Sequence, residues 1–259
     1  KARKSLGQNF LFDLNLTSKI ARAGTPFANT VIEIGPGPGG LTRALLLEGA
    51  KQVIAVEKDR RVIGFLDHLV TAADGRLSVI EADALAKPVW ELGAAPRQII
   101  ANLPYNIATT LLLQWLEHAA SFTSFILMFQ KEVAMRITAS PGDSAYGRLS
   151  IITQWRAEAD TIFDIPPEAF IPPPKITSTV VRLIPRAKPL ADCQQADLEK
   201  VTAIAFGQRR KMLRASFKKY GGAAFIEEAG LEPSSRPQEV PIEGLCALAR
   251  LFHQHQKTR

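Results

Sequence analysis

The feature that most constrains this chain is an alternation between roughly residues 30 and 130. Short β-branched and aliphatic runs, "TVIEIG", "QVIAVE", "RLSVIEAD", "RQIIANLP" and "SFTSFILMFQ", are separated by stretches of helical character. In the separator "GGLTRALLLEGA", Leu41, Ala44 and Leu45 share one helical face and Gly49 marks a stop. Further helices are expected around Arg60 to Leu69 and Thr109 to His118. Strands this apolar along their whole length must be covered on both faces. Strand, helix, strand at such spacing therefore predicts a parallel sheet with helices on each side.

The pattern changes further on. "GRLSIITQWRAEADTIFDI" and "ITSTVVRLIP" read as two strands joined by the proline-rich loop "PPEAFIPPPK", an antiparallel addition to one edge of the sheet. After "IPRAKPLAD" the β character ends. "QQADLEKVTAIAFGQRRKMLRASFKKY" and "IEGLCALARLFHQH" read as helices. The expected organisation is an α/β domain over residues 1–186 and a small all-helical domain over residues 187–259.

Composition excludes several classes. At 259 residues, 46% hydrophobic and 22% charged, the chain has the balance of a soluble globular protein with a sizeable core. Its longest apolar run, "SFTSFILMF", is too short to span a bilayer, and "KARKSLGQNF" lacks the apolar core of a signal peptide. Cys193 and Cys246 are far apart in sequence, match no metal spacing and read as reduced and incidental, which predicts a cytoplasmic protein. His68, His118, His253 and His255 form no ligand set, so no metal is expected.

The net charge of +7 favours a polyanionic partner. The charge is concentrated in Arg209, Arg210, Lys211, Arg214, Lys218 and Lys219, with a smaller group at Lys1, Arg3 and Lys4. On one continuous helix Arg210, Arg214 and Lys218 would form a ridge suited to a phosphate backbone.

Polar residues recur where the strands end. "EIGPGPGG" runs from a strand into Gly35, Gly37, Gly39 and Gly40 and then into a helix. Such a loop lets backbone approach a ligand, but its spacing fits both G-x-G-x-x-G and G-x-G-x-G and by itself says only nucleotide-like cofactor. Glu57 ends the next strand roughly 20 residues beyond Gly35, where a carboxylate can accept from ribose hydroxyls. Asp83 closes the third strand and Asn102-Leu103-Pro104-Tyr105 the fourth. An adenine amine is a poor nucleophile because its lone pair is delocalised into the ring. The Asn102 carbonyl and the backbone carbonyl of Leu103 or Pro104 can accept its N–H groups and aim its nitrogen at an electrophile, while Tyr105 offers a stacking face.

The order of "GQNFLFD", "EIGPGPGGLT", "VEKD", "EADAL", "ANLPYNI", "QKEVAMR", "AYGRLS", "FIPPPKITSTVVRL" and "AFGQRRKMLRASF" resembles the small-subunit ribosomal RNA adenine N6,N6-dimethyltransferases linked to kasugamycin sensitivity, over nearly the whole chain. The resemblance implies a Rossmann-like class I methyltransferase sheet that uses S-adenosylmethionine. It further implies dimethylation of two adjacent adenosines near the 3′ end of small-subunit (16S) rRNA, within a 30S particle or its precursor. Carried over to matching positions, Asn9, Leu11, Gly35, Gly37, Glu57, Asp83 and Asn102 would bind the cofactor. Asn102, Leu103, Pro104 and Tyr105 would hold the target adenine, with Phe170 as a second stacking face. Lys131, Arg136, Arg148, Arg209, Arg210, Lys211, Arg214 and Lys218 would contact RNA. Six residues precede "GQNF", fewer than the family often carries, so RNA affinity supplied by a longer basic extension would be missing from this sequence. Pro38 departs from the usual small or apolar residue and should be tolerated in a turn. A monomer is expected, with no membrane contact.

Four other readings compete. A large-subunit rRNA adenine methyltransferase would share the cofactor loop and the Asn-x-Pro-Tyr pattern, but "AYGRLS", "FIPPPK" and "FGQRRKMLRASF" favour the small-subunit enzymes. A DNA adenine methyltransferase lacks its target-recognition insertion here. A non-catalytic assembly or transcription factor leaves Glu57, Asp83 and Asn102 without a purpose, and a nicotinamide oxidoreductase leaves Tyr105 and the basic helices unexplained.

Overall fold

The runs that are apolar from end to end become the inner strands of one sheet. In a computed structural model, which describes residues 9–257, the strands are β1 (Phe10–Leu11), β2 (Thr30–Ile34), β3 (Val53–Glu57), β4 (Leu77–Glu81), β5 (Arg97–Ala101), β6 (Phe122–Gln130), β7 (Ala157–Ile165), β8 (Phe170–Ile171) and β9 (Ser178–Pro185). The basic residues Lys1, Arg3 and Lys4 lie outside the described residues. The helices are α1 (Leu14–Ala23), α2 (Gly40–Leu47), α3 (Arg60–Ile63), α4 (Asp67–Ala72), α5 (Ala108–Glu117), α6 (Lys131–Thr138), α7 (Arg148–Arg156), α8 (Gln195–Gly207), α9 (Leu213–Ser216), α10 (Ala223–Glu228) and α11 (Ile242–Lys257).

Packing divides the chain into two compact units. Among the described residues, one comprises 9–134 and 159–185, the other 135–158 and 186–257. The sequence reading placed a single boundary after residue 186, whereas the second unit also takes in the α7 segment.

In the first unit the seven strands of the main sheet run in the order β4-β3-β2-β5-β6-β9-β7. The β2–β3, β2–β5, β3–β4 and β5–β6 pairs are parallel, and β9 runs antiparallel to β6. Every residue of β2 and of β3 is buried, as expected where helices cover both faces. The predicted class is therefore observed: a Rossmann-like parallel core with an antiparallel edge. A separate two-stranded pairing joins β1 to β8, with Phe10 opposite Ile171 and Leu11 opposite Phe170. Helix α1 begins at Asp13, whose Oδ1 accepts from the N–H groups of Asn15 and Leu16 at 2.8 and 3.2 Å. No helix among the described residues is long and apolar enough to cross a membrane.

The second unit corrects two expectations. "RLSIITQWR" is not a strand but helix α7. Ser150, Ile151, Ile152, Thr153 and Trp155 are all buried, so side-chain burial overrides the β preference of the paired isoleucines. Nor do residues 195–220 form one helix. Helix α8 stops at Gly207, residues 208–212 form a turn, and α9 restarts at Leu213, itself fully buried. Arg210 lies in that turn, Arg214 in α9 and Lys218 in a following 3₁₀ turn, so the single charged ridge does not exist. The three side chains remain exposed, on a surface built from separate short elements.

Candidate active site

Where β2 ends, the sheet changes direction of winding: β3 and β4 lie on one side of β2, β5 and β6 on the other. The crossover helices diverge at such a point and leave a crevice beyond the strand carboxyl ends. A cavity of about 300 Å³ occupies this position. It is lined by residues from the glycine loop, the ends of β3 and β5, the segment after β4 and the N-terminal segment. Of the sequence-predicted residues, Asn9, Leu11, Gly35, Gly37, Glu57, Asp83, Asn102, Leu103, Pro104 and Tyr105 all line it. They come from five separate stretches of chain.

The glycine loop is built for close approach. Gly35 and Gly37 have φ of +67° and +56°, which only glycine adopts without strain. A Cβ on Gly37 would also stand 2.9 Å from the ring of Phe10, another residue lining the cavity. Helix α2 starts directly after the loop, at Gly40.

Of the four carboxyl groups that line the cavity, Glu57, Glu33 and Asp83 differ in state. Glu57 is 7% exposed, and its Oε1 accepts the Asp59 N–H at 2.8 Å. Burial raises its pKa above the ordinary carboxyl value, while backbone N–H groups of Asp59, Gly37 and Lys58 pull the other way. Glu33, one strand earlier, is 1% exposed and accepts from Thr42 Oγ1 at 2.6 Å. Burial pushes it up to about 8, so its carboxyl is largely protonated at neutral pH. Asp83 has the opposite bias. Its Oδ2 lies 2.6 Å from Lys58 Nζ and its Oδ1 accepts the Leu85 N–H at 3.0 Å, and both contacts hold it below the usual carboxyl range. Sequence reasoning passed over Glu33 and Lys58. The available signal for Glu33 was an acid in the middle of an otherwise apolar strand, which demands a reason.

The segment after β5 is firmly seated. Asn102 Nδ2 donates to the Asn9 carbonyl at 3.1 Å, so its amide oxygen is left as an acceptor. The Pro104 carbonyl already accepts the Ile107 N–H at 3.1 Å. Tyr105 Oη shares a 2.5 Å hydrogen bond with Ser178 Oγ on β9, and burial raises its phenol pKa, so the hydroxyl stays protonated.

Other predicted residues lie elsewhere. Phe170 is only 1% exposed and packs in the core with Leu11, Ile165 and Val180. It has no free face for a base, and the expectation that it stacks is corrected. Its exposed neighbour is Ile171. Lys131 is exposed but tied to Asp164 at 2.6 Å. In the second unit Arg136 and Arg148 are exposed, as are Arg210, Lys211, Arg214 and Lys218. Arg209 is half-buried and donates to Gln238 and to the Ser144 carbonyl, so it braces its own unit.

Comparison with known proteins places this geometry. The family profile described as "Ribosomal RNA adenine dimethylase" matches residues 1–254. A protein of Rhodospirillum rubrum named ribosomal RNA small subunit methyltransferase A is 60% identical over 251 residues, which cover 96% of this chain and 87% of that protein. Its Agrobacterium fabrum namesake is 55% identical over 254 residues, covering 96% and 92%. Among solved structures, a dimethyladenosine transferase from Plasmodium falciparum superposes with a TM-score of 0.80 at 26% identity, covering 96% of this chain and 98% of that one. The 23S rRNA methyltransferase ErmE gives 0.70, also at 26% identity, covering 95% and 100%. On the match to the family profile and to these relatives, the chain belongs to the ribosomal RNA adenine dimethylase family.

Proposed function

We propose that this chain transfers methyl groups from S-adenosylmethionine to N6 of two adjacent adenosines near the 3′ end of small-subunit rRNA, within a 30S particle or precursor. It would act in the cytoplasm, as a monomer. The observation that carries the reading is the convergence of Asn102-Leu103-Pro104-Tyr105 with Glu57 and Asp83 on one cavity at the switch point of the sheet.

The cavity suits such a cofactor. Gly35 and Gly37 would admit its amino-acid end against the backbone, and Glu57 would accept from its ribose hydroxyls. Asp83, now paired with Lys58, would accept from its adenine amine. S-adenosylmethionine supplies a methyl group on a positively charged sulfur. The remaining work falls to the protein. Asn102, oriented by its donation to Asn9, presents its amide oxygen to the target amine. The Pro104 carbonyl is engaged in the turn, so the Leu103 carbonyl is the better second acceptor. Held by two acceptors, the nitrogen turns its lone pair out of the ring and toward the methyl donor. Tyr105 acts through its ring, since its protonated phenol is no base. The exposed Arg210, Lys211, Arg214 and Lys218, with Arg136 and Arg148, would meet RNA phosphates, which are read by shape rather than sequence.

The ErmE superposition keeps one second reading in view, methylation of the large subunit. Labelled-methyl transfer to unmethylated small and large subunits, followed by mapping of the modified nucleotides, separates the two. Asn102→Ala should abolish transfer while leaving binding to small subunits intact. Full activity in that variant would overturn the assignment, and label confined to the large subunit would overturn the choice of substrate.

A further inference from the structure

The chain's two cysteines, distant in sequence and unremarked by the active site, meet in the second unit. Cys246 sits on α11 with 0% exposure, and Cys193 lies half-buried in the segment that leads into α8. Their thiols are close enough for each to shift the other's ionisation. The meeting is fixed by contacts that do not involve sulfur. Arg250, one helical turn beyond Cys246 and on the same face of α11, donates to the Asp192 carbonyl at 2.7 Å. His253, on the same side of the helix, lies 2.7 Å from Asp197 at the start of α8. From the other direction Trp155 Nε1 donates to the Ala191 carbonyl at 2.7 Å, and the Leu190 N–H donates to Trp155 at 2.9 Å. The backbone on both sides of Cys193 is thereby pinned opposite Cys246.

We propose that Cys193 and Cys246 form a reversible oxidation site, a thiol pair that closes to an intramolecular disulfide on reaction with a hydroperoxide. The division of labour follows from burial and charge. Cys193 is the less buried residue of the two. The neighbouring Cys246 thiol, and then the Arg250 and Arg156 cations, hold its thiol below the usual cysteine value against the opposing effects of burial and Asp192. Cys246 is held well above that value by the neighbouring Cys193 thiol and by burial. A half-buried thiol of lowered pKa beside a buried partner is the arrangement of a thiol sensor with its resolving residue.

The chemistry balances without any further reactant. The Cys193 thiolate attacks one oxygen of the hydroperoxide. The O–O bond breaks, the alcohol or water leaves after taking a proton, and Cys193 becomes a sulfenic acid. Cys246 sulfur then attacks the Cys193 sulfur, the S–O bond breaks, and hydroxide leaves as water with the Cys246 proton. Two thiols are oxidised and the peroxide is reduced. The product ties the segment entering α8 to α11, which closes a long loop and should stiffen the helical unit.

The full chain is treated with hydrogen peroxide, unfolded without reductant and alkylated. The expected result is loss of both alkylatable thiols in monomeric protein, a linked peptide pair containing Cys193 and Cys246, full recovery with dithiothreitol and a raised thermal midpoint. Cys246→Ser should instead accumulate a Cys193 sulfenic acid that a dimedone probe traps. Cys193→Ser should leave Cys246 reduced, which keeps the proposal testable if the buried substitution impairs folding. Two intact thiols at peroxide levels that consume free cysteine would overturn the proposal. So would a disulfide between two chains, or over-oxidation of Cys193 with Cys246 untouched.

Discussion

Glu33 gives the sharpest quantitative test of how this site is built. Its carboxyl is 1% exposed in β2 and accepts one hydrogen bond, from Thr42 at 2.6 Å. Burial moves its pKa from 4.5 to about 8, with a smaller push from the neighbouring Glu57. The unfolded chain releases this proton near the ordinary value and the folded chain near the raised one. Between those limits the unfolded state binds fewer protons, so stability falls as pH rises and levels off above the folded pKa. Each pH step in the window costs about 1.4 kcal/mol, so ionisation of this carboxyl removes at most about 5 kcal/mol at alkaline pH. Glu33→Gln keeps the shape and an acceptor for Thr42 but cannot ionise. The variant and the parent should melt alike at about pH 4.5, and the variant should then gain steadily with pH. For a chain of this size, about 5 kcal/mol corresponds to a difference on the order of 10 °C at the alkaline end. Thermal unfolding followed by circular dichroism across the range is the assay. Parallel profiles with no widening gap would refute the reasoning, because they would mean that the folded protein ionises Glu33 as easily as water does.

Other expectations follow from single contacts. Phe170→Ala should cost about 3–5 kcal/mol of stability, as for any fully buried aromatic, while Phe170→Leu should leave the KM for ribosomal particles unchanged; a raised KM at normal stability would restore the stacking role. Ser178→Ala removes the 2.5 Å partner of Tyr105, and Tyr105→Phe removes the other half. Each should lower single-turnover methyl transfer with calorimetric S-adenosylhomocysteine binding intact, and the double variant should be little worse than either. Gly37→Ala places a side chain at φ +56° and 2.9 Å from Phe10. A left-handed residue with a Cβ costs about 1–2 kcal/mol, so calorimetry should find cofactor affinity reduced roughly tenfold.

The parallel core was legible because its signal is local. "VIEI", "VIAV" and "QIIA" must be buried on both faces wherever they go, and a run of β-branched residues carries that requirement within a few positions. The helical face of Leu41, Ala44 and Leu45 is local in the same sense. Polar residues closing successive strands were equally visible, and with them the candidates Glu57, Asp83 and Asn102. What the sheet order added was their meeting place, since β5 returns to the far side of β2 and brings the segment after it against the glycine loop.

The misreadings share one physical cause. "RLSIITQWR" carries enough β-branched residues for a strand, and only the packing partners of Ile151 and Trp155 make it a helix. The basic stretch looks continuous until Gly207 ends α8 and Leu213 is drawn into the core. Phe170 reads as an exposed loop aromatic until β8 pairs with β1 and closes over it. Glu33 owes its raised pKa, and Cys193 its place beside Cys246, to residues that lie far away in the chain or on other elements. By itself, then, the sequence determined the strand–helix order and the residue types at each strand end, because propensity and periodicity act between near neighbours. Burial, ionisation and the pairing of the cysteines belonged to the tertiary structure alone, because desolvation and contact depend on which distant segments exclude water from a given atom.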